Sequence, residues 1–124
     1  MATFLDTHAA IYLAEGRVER FGARSRALLE GNDLLVSPFV RLELAYLREC
    51  KKIGCEPDQV IGLLAAQGVA LSTESVQEVV SAAMGMAWTR DPFDRLITAT
   101  AALCGAPLVT RDASITANYG SAVW

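Results

Sequence analysis

Acidic side chains stand at four separated places where a fold could use them together. Asp6 directly follows the apolar run Ala2–Leu5, Glu43 lies within an amphipathic segment, Asp94 heads an apolar one, and Asp112 follows Leu108–Thr110. Gathered in one place, such carboxylates repel each other unless they are protonated or neutralised by a cation. Cys50, Cys55 and Cys104 lack C-x-x-C spacing and His8 is the only histidine, so no standard zinc site is available and the set is read as all-oxygen. An all-oxygen set suits a hard divalent ion, Mg²⁺ or Mn²⁺, better than zinc. An ion of that kind orients a phosphodiester, activates water and offsets charge in an in-line displacement. The chemistry expected is phosphodiester hydrolysis.

Each acid also has a purely structural explanation. Asp6 and Asp112 precede helical segments, where Asp is a favoured N-cap. Asp91 and Asp94 flank Pro92-Phe93 at a helix start, where negative charge complements the macrodipole. One cap does not need two acids, so Asp94 is assigned to the site and Asp91 to capping or support. Glu43 shares a helical face with Phe39, Val40, Tyr46, Leu47 and Cys50. A carboxylate on a core-directed face needs a metal, a hydrogen-bond partner or an arginine beside it, the alternative being a helix-edge position that reaches water.

Arg95 and Arg111 each adjoin a proposed ligand and are secondary candidates for holding phosphate, the alternative being exposed or carboxylate-paired arginines. His8, a single histidine beside a strand end, is read as structural, and Trp88 and Trp124 as packing residues. Neither a G-x-x-x-x-G-K-[ST] loop nor a G-x-S-x-G elbow occurs, which removes NTPase and serine-hydrolase chemistry as leading readings.

Positioning these residues falls to short apolar strands alternating with helices. Strands are expected at Ala2–Leu5, Leu34–Val36, Val69–Leu71, Leu108–Thr110 and Ala122–Trp124. Helices are expected from Ala9 to near Gly16, over Arg24–Glu30, from Pro38 to about Lys52, from Pro57, after Glu74, and over Phe93–Cys104. Continuous apolar strands between helices predict a mainly parallel sheet covered on both faces, a three-layer α/β/α sandwich. Polar residues just past the strands' carboxyl ends then border the ligand crevice.

With 124 residues, 52% of them hydrophobic and 20% charged, the chain fits one domain spanning residues 1–124, with no linker or repeat. Its net charge of −3 excludes binding nucleic acid by overall basicity, so any polyanion must be held locally. Cys50, Cys55 and Cys104 lack C-x-x-C spacing and fit a reduced, cytoplasmic location. No cationic segment precedes the first apolar run and no membrane-length apolar stretch occurs, so neither an export signal nor a membrane span is expected.

The segments Phe4-Leu5-Asp6-Thr7-His8, Arg41-Leu42-Glu43-Leu44, Arg90-Asp91-Pro92-Phe93-Asp94-Arg95-Leu96 and Leu108-Val109-Thr110-Arg111-Asp112 together resemble the PIN-domain nucleases, most closely their VapC-type toxins. The likeness covers essentially the whole chain, and Asp-Pro-Phe-Asp-Arg before the apolar helix is its most specific part. It implies Mg²⁺- or Mn²⁺-dependent endoribonuclease activity, with Asp6, Glu43, Asp94 and Asp112 around the metal and Thr110 as a further polar position. It also implies homodimerisation and a small cognate antitoxin whose C-terminal segment fills the active-site groove. Rival readings are a DNA nuclease with the same metal site and a catalytically silent RNA- or protein-binding module whose acids only cap helices. A receiver-like signalling domain also gathers aspartates around Mg²⁺, but no lysine follows the later strands here.

Overall fold

The computed structural model describes residues 1–124. Strand β1 (Ala2–Leu5) sits at its centre, and Thr3, Phe4 and Leu5 are all fully buried. Successive strand residues point to opposite faces, so burial of all three requires helices on both sides of the sheet. β2 (Asp33–Val36) pairs parallel with β1, placing Val36 beside Leu5, and β3 (Ala70–Leu71) extends that edge. On the other side β4 (Leu108–Val109) pairs parallel with β1, placing Val109 beside Leu5, and β5 (Ala122–Val123) follows. The order is β3-β2-β1-β4-β5, every pairing is parallel, and the whole is the expected three-layer α/β/α architecture.

The chain thus leaves β1 in one direction through β2 and β3 and returns to its other side at β4. Strand order reverses there, and the carboxyl ends of β1 and β4 lie side by side at the place where open parallel sheets bind ligands.

Seven helices cover the sheet: α1 (Thr7–Ala14), α2 (Ala23–Gly31), α3 (Pro38–Glu49), α4 (Pro57–Ala66), α5 (Val76–Met84), α6 (Pro92–Leu103) and α7 (Ala113–Asn118). α3 and α6 each begin with Pro after a capping side chain, Ser37 and Asp91, because Pro at the first position loses no helical hydrogen bond. Phe4, Leu5, Val36, Leu108 and Val109 of the sheet pack in one core with Val40 and Leu44 of α3, Leu64 of α4 and Ile97 of α6. Ala9 and Ala10, both fully buried, let α1 pack closely against the sheet. The Ser37 and Thr100 hydroxyls meet at 3.0 Å and satisfy each other where α3 and α6 approach in the interior.

Three local features differ from the sequence expectation. α3 ends at Glu49 rather than near Lys52, because Lys51 turns into the left-handed region at φ 59°. The Lys52 amide then donates to Leu47 O at 2.9 Å, closing the helix end that glycine usually closes. α7 was expected only as a helix start after Asp112, without bounds, because its six residues bury only Ile115, too little for a periodic apolar signal. A single 3₁₀ turn at Val18–Arg20 buries nothing and was equally silent. No helix is long and apolar enough to cross a membrane.

Candidate active site

Asp6 and Asp112 leave adjacent strands and begin helices in the same way. Each has extended backbone, which turns its carboxylate back over the following helical turn. Asp6 Oδ1 accepts from the Ala9 amide at 2.8 Å, and Asp112 Oδ1 accepts from the Ile115 amide at 2.9 Å. Both are therefore N-caps, as the structural reading held, and both also line one cavity of about 510 Å³. The two readings are compatible because a cap uses one carboxylate oxygen and leaves the second for another partner.

Glu43 and Asp94 complete the cavity's acidic wall, with Asp91 beside them. On α3 the buried stripe is Val40, Leu44 and Leu47, while Tyr46 and Cys50 are exposed, so Glu43 lies at the edge of the apolar face rather than within it. Its partner is the Thr7 hydroxyl, which donates to Oε1 across 36 residues of sequence, and no arginine pairs with it. Asp91 caps α6, with Oδ1 accepting from the Phe93 amide at 2.8 Å. Asp94, in the first turn, is spared from capping and faces the cavity.

The electrostatics are those of a cluster short of positive charge. The ion pairs of the molecule are Arg17–Glu15, Arg41–Asp58 and Arg48–Glu56, and none includes a cavity carboxylate. Burial raises the pKa of Asp6, which the Thr110 hydroxyl and Ala9 amide partly offset, with Asp112 adding repulsion. Burial likewise raises Glu43; the Thr7 hydrogen bond opposes it, and Asp91 and Asp6 reinforce it. Asp94 is pushed up to about 7, first by burial and then by Asp91, Asp112, Glu43 and Asp6. Three acids raised together by desolvation and mutual repulsion characterise a functional cleft more than a set of surface caps.

The donor chemistry fits a hard divalent cation: carboxylate oxygens from four separated segments, with no sulfur or imidazole required. As the side chains stand, no three of them are within reach of a single ion position, so ligation of one ion by three requires them to converge.

The remaining sequence candidates divide. Thr110 is fully buried and its hydroxyl accepts from the Asp112 amide at 3.1 Å, fixing the turn that delivers Asp112. Arg111 lines the cavity, held over Tyr12 (5.7 Å) and Trp124 (5.8 Å) with Nη2 3.4 Å from the Tyr12 hydroxyl. Arg95 does not line it; its Nε donates to Thr89 O at 2.9 Å and braces the loop before α6. His8 is on the cavity wall. Sequence reasoning missed Thr7, Tyr12 and Lys52, which line the same cavity. Thr7 and Tyr12 are an i, i+5 pair on α1, a spacing with no chemical signature, and Lys52 arrives only through the turn at Lys51.

The family model described as the PIN domain matches residues 3–120. No protein of curated function matches the sequence. Among solved structures, a chain of VapBC2 from Rickettsia felis, solved bound to a DNA fragment from its promoter, superposes with TM-score 0.69 at 17% identity, covering 100% of this chain and 98% of that one. A chain of a toxin–antitoxin complex from Klebsiella pneumoniae gives TM-score 0.68 at 20% identity, covering 98% and 96%. VapBC-1 from nontypeable Haemophilus influenzae gives 0.67 at 20% identity, covering 100% and 96%. At these identities the structural likeness establishes the fold. The family match, spanning nearly the whole chain and every proposed acid, establishes more: the protein belongs to the PIN domain family.

Proposed function

We propose that the protein is a metal-dependent endoribonuclease and the toxin of a toxin–antitoxin pair. The observation that carries the reading is the cavity at the strand-order reversal, which Asp6, Glu43, Asp94 and Asp112 all line while none of them is in an ion pair. Family membership and the likeness to structures solved as toxin–antitoxin complexes support it.

In this reading the four carboxylates hold Mg²⁺ or Mn²⁺, one ion or two. When bound, the ion orients the scissile phosphate, promotes attack by water and offsets charge on the leaving oxygen. The chain's own residues supply the frame. Thr7 keeps Glu43 turned into the cavity, Thr110 fixes the turn before Asp112, and the α1 and α7 amides orient Asp6 and Asp112. Arg111, pinned by two aromatic rings, contacts a substrate phosphate. Water adds to phosphorus, the bond to the 3′-oxygen breaks, and that oxygen takes a proton, leaving 5′-phosphate and 3′-hydroxyl ends. A small antitoxin protein is the proposed regulatory partner, and the proposed working form is a cytoplasmic homodimer.

The test is incubation of the purified protein with labelled single-stranded RNA and DNA, with Mg²⁺, with Mn²⁺ and with chelator. Metal-dependent cleavage of RNA supports the reading. Cleavage of DNA alone transfers it to the DNA nuclease, and inactivity on a broad RNA panel favours the silent binding module.

A further inference from the structure

A larger cavity, about 690 Å³, opens next to the acidic one and shares one residue with it, Lys52. Its wall is the turn between α3 and α4, including Arg48, Glu49, Lys51, Lys52 and Glu56. Arg48 is spent on Glu56 at 2.6 Å, whereas Lys51 and Lys52 are exposed and in no ion pair. They are the only lysines in the chain. In a protein of net charge −3, Lys52 therefore stands at the junction of the two cavities with Lys51 beside it on the wall of the larger one, two unpaired ammonium groups against the single unpaired carboxylate of Glu49.

Lys51 occupies its place against backbone preference. It is the only non-glycine residue with positive φ, at the helix-closing position where glycine is favoured. Nothing in the fold requires a side chain there, since the closing hydrogen bonds run through the Lys51 and Lys52 amides to Arg48 O and Leu47 O, both at 2.9 Å. A strained residue of this kind points to function.

The acidic cavity poses an electrostatic difficulty that these lysines answer. Five carboxylates line it against Lys52 and Arg111, so it repels a polyanion until cations enter. A nucleic-acid strand therefore needs contacts outside the carboxylate ring. Arg111 provides one, and the Lys51–Lys52 turn provides another that leads into open groove.

From this juxtaposition we infer that the groove between α3 and α4 carries the RNA strand where it extends from the acidic cavity, with Lys51 and Lys52 gripping backbone phosphates beyond the scissile one. The inference rests on the ribonuclease reading above and adds the surface along which the substrate continues. Phosphate contacts of this type position the strand without reading its sequence.

The experiment measures binding of a fluorescently labelled, mixed-sequence single-stranded RNA to Asp6→Asn, in Mg²⁺, across a salt series. It is repeated with Lys51→Gly and Lys52→Gln added, and thermal melts confirm that all proteins are folded. Glycine at 51 retains the turn, and glutamine at 52 retains the stem and backbone donor. Removing two phosphate contacts should reduce the salt dependence of log affinity by about 1.4. Between about 50 and 200 mM salt, the parent then loses about sevenfold more affinity than the variant. Equal affinity and equal salt slope in a parent that does bind RNA overturn the track while leaving the ribonuclease reading standing. A parent that binds no RNA overturns the track, and absence of cleavage of the same RNA by the wild type overturns the ribonuclease reading as well. Unchanged RNA binding with lost binding of a polyglutamate peptide assigns the lysines to an acidic protein segment and overturns the proposal.

Discussion

The Thr7 hydroxyl donates to Glu43 Oε1, joining the first turn of α1 to the middle of α3 and supplying the hydrogen bond that holds this carboxylate in the acidic cavity. Thr7 itself is buried. Replacing it by Val retains shape but leaves Glu43 without its donor, and residues that orient metal-binding groups typically contribute about 10–100-fold to affinity or activity. Thr7→Val should lower metal affinity, read by titrating activity against Mg²⁺, and Thr7→Ser should restore it. Equal Mg²⁺ dependence in all three proteins would show the hydrogen bond to be structural only.

Asp94 makes the site a stability liability in the absence of metal. Its pKa is pushed up to about 7 from the ordinary 3.8, so the folded state holds the proton more tightly than the unfolded state. Its contribution is therefore fully present below about pH 4 and is lost as pH rises through about 7. Three pKa units correspond to at most ~4 kcal/mol, and partial exposure of the side chain reduces that to about 1–2 kcal/mol. Asp94→Asn should raise the Tm of chelated protein at about pH 8 by several degrees, and the gain should vanish near pH 4. The same variant should be inactive, a combination that a merely structural aspartate does not give.

Metal should act in the opposite sense to that repulsion. A ligand that binds only the folded state adds about 2.7 kcal/mol at a hundredfold excess over its Kd. Scanning calorimetry with Mg²⁺ against chelator should show a rise in Tm that is lost in Asp94→Asn and in Asp112→Asn.

Arg95 and Arg111 should separate cleanly. Arg111→Gln removes a cavity cation and should raise KM for RNA with little change in Tm. Arg95→Gln removes the bond to Thr89 O and should lower Tm by a few degrees, since one such bond contributes about 1 kcal/mol. KM should stay near the parent value. Reversal of the two phenotypes would relocate the phosphate contact to Arg95.

The strands, the main helices and their order were legible because short apolar runs alternating with helical segments bounded by Asp, Pro and Gly leave few alternatives. Asp6, Asp91 and Asp112 were legible as caps for the same reason, each preceding a helix that it caps through a backbone amide. What lay beyond the sequence was long-range. That Glu43 meets Thr7 rather than an arginine depends on how α3 crosses α1, and no spacing rule spans 36 residues. The end of α3 was overextended because Lys51 carries no sign of left-handed backbone, and with it was hidden the arrival of Lys52 at the cavity. The extent of α7 escaped, although its cap Asp112 did not, because a six-residue helix with one buried side chain has no period to detect.

Cleavage of labelled single-stranded RNA by the wild type and by Asp6→Asn, side by side in Mg²⁺ and in chelator, tests the central claim most directly. Asn caps a helix about as well as Asp, so the variant keeps α1 and the fold while losing a charged oxygen ligand. Metal-dependent cleavage by the wild type that is absent from Asp6→Asn is the predicted result. Equal cleavage by both proteins, or cleavage that persists in chelator, would contradict the assignment of this carboxylate cavity as a metal-dependent nuclease site.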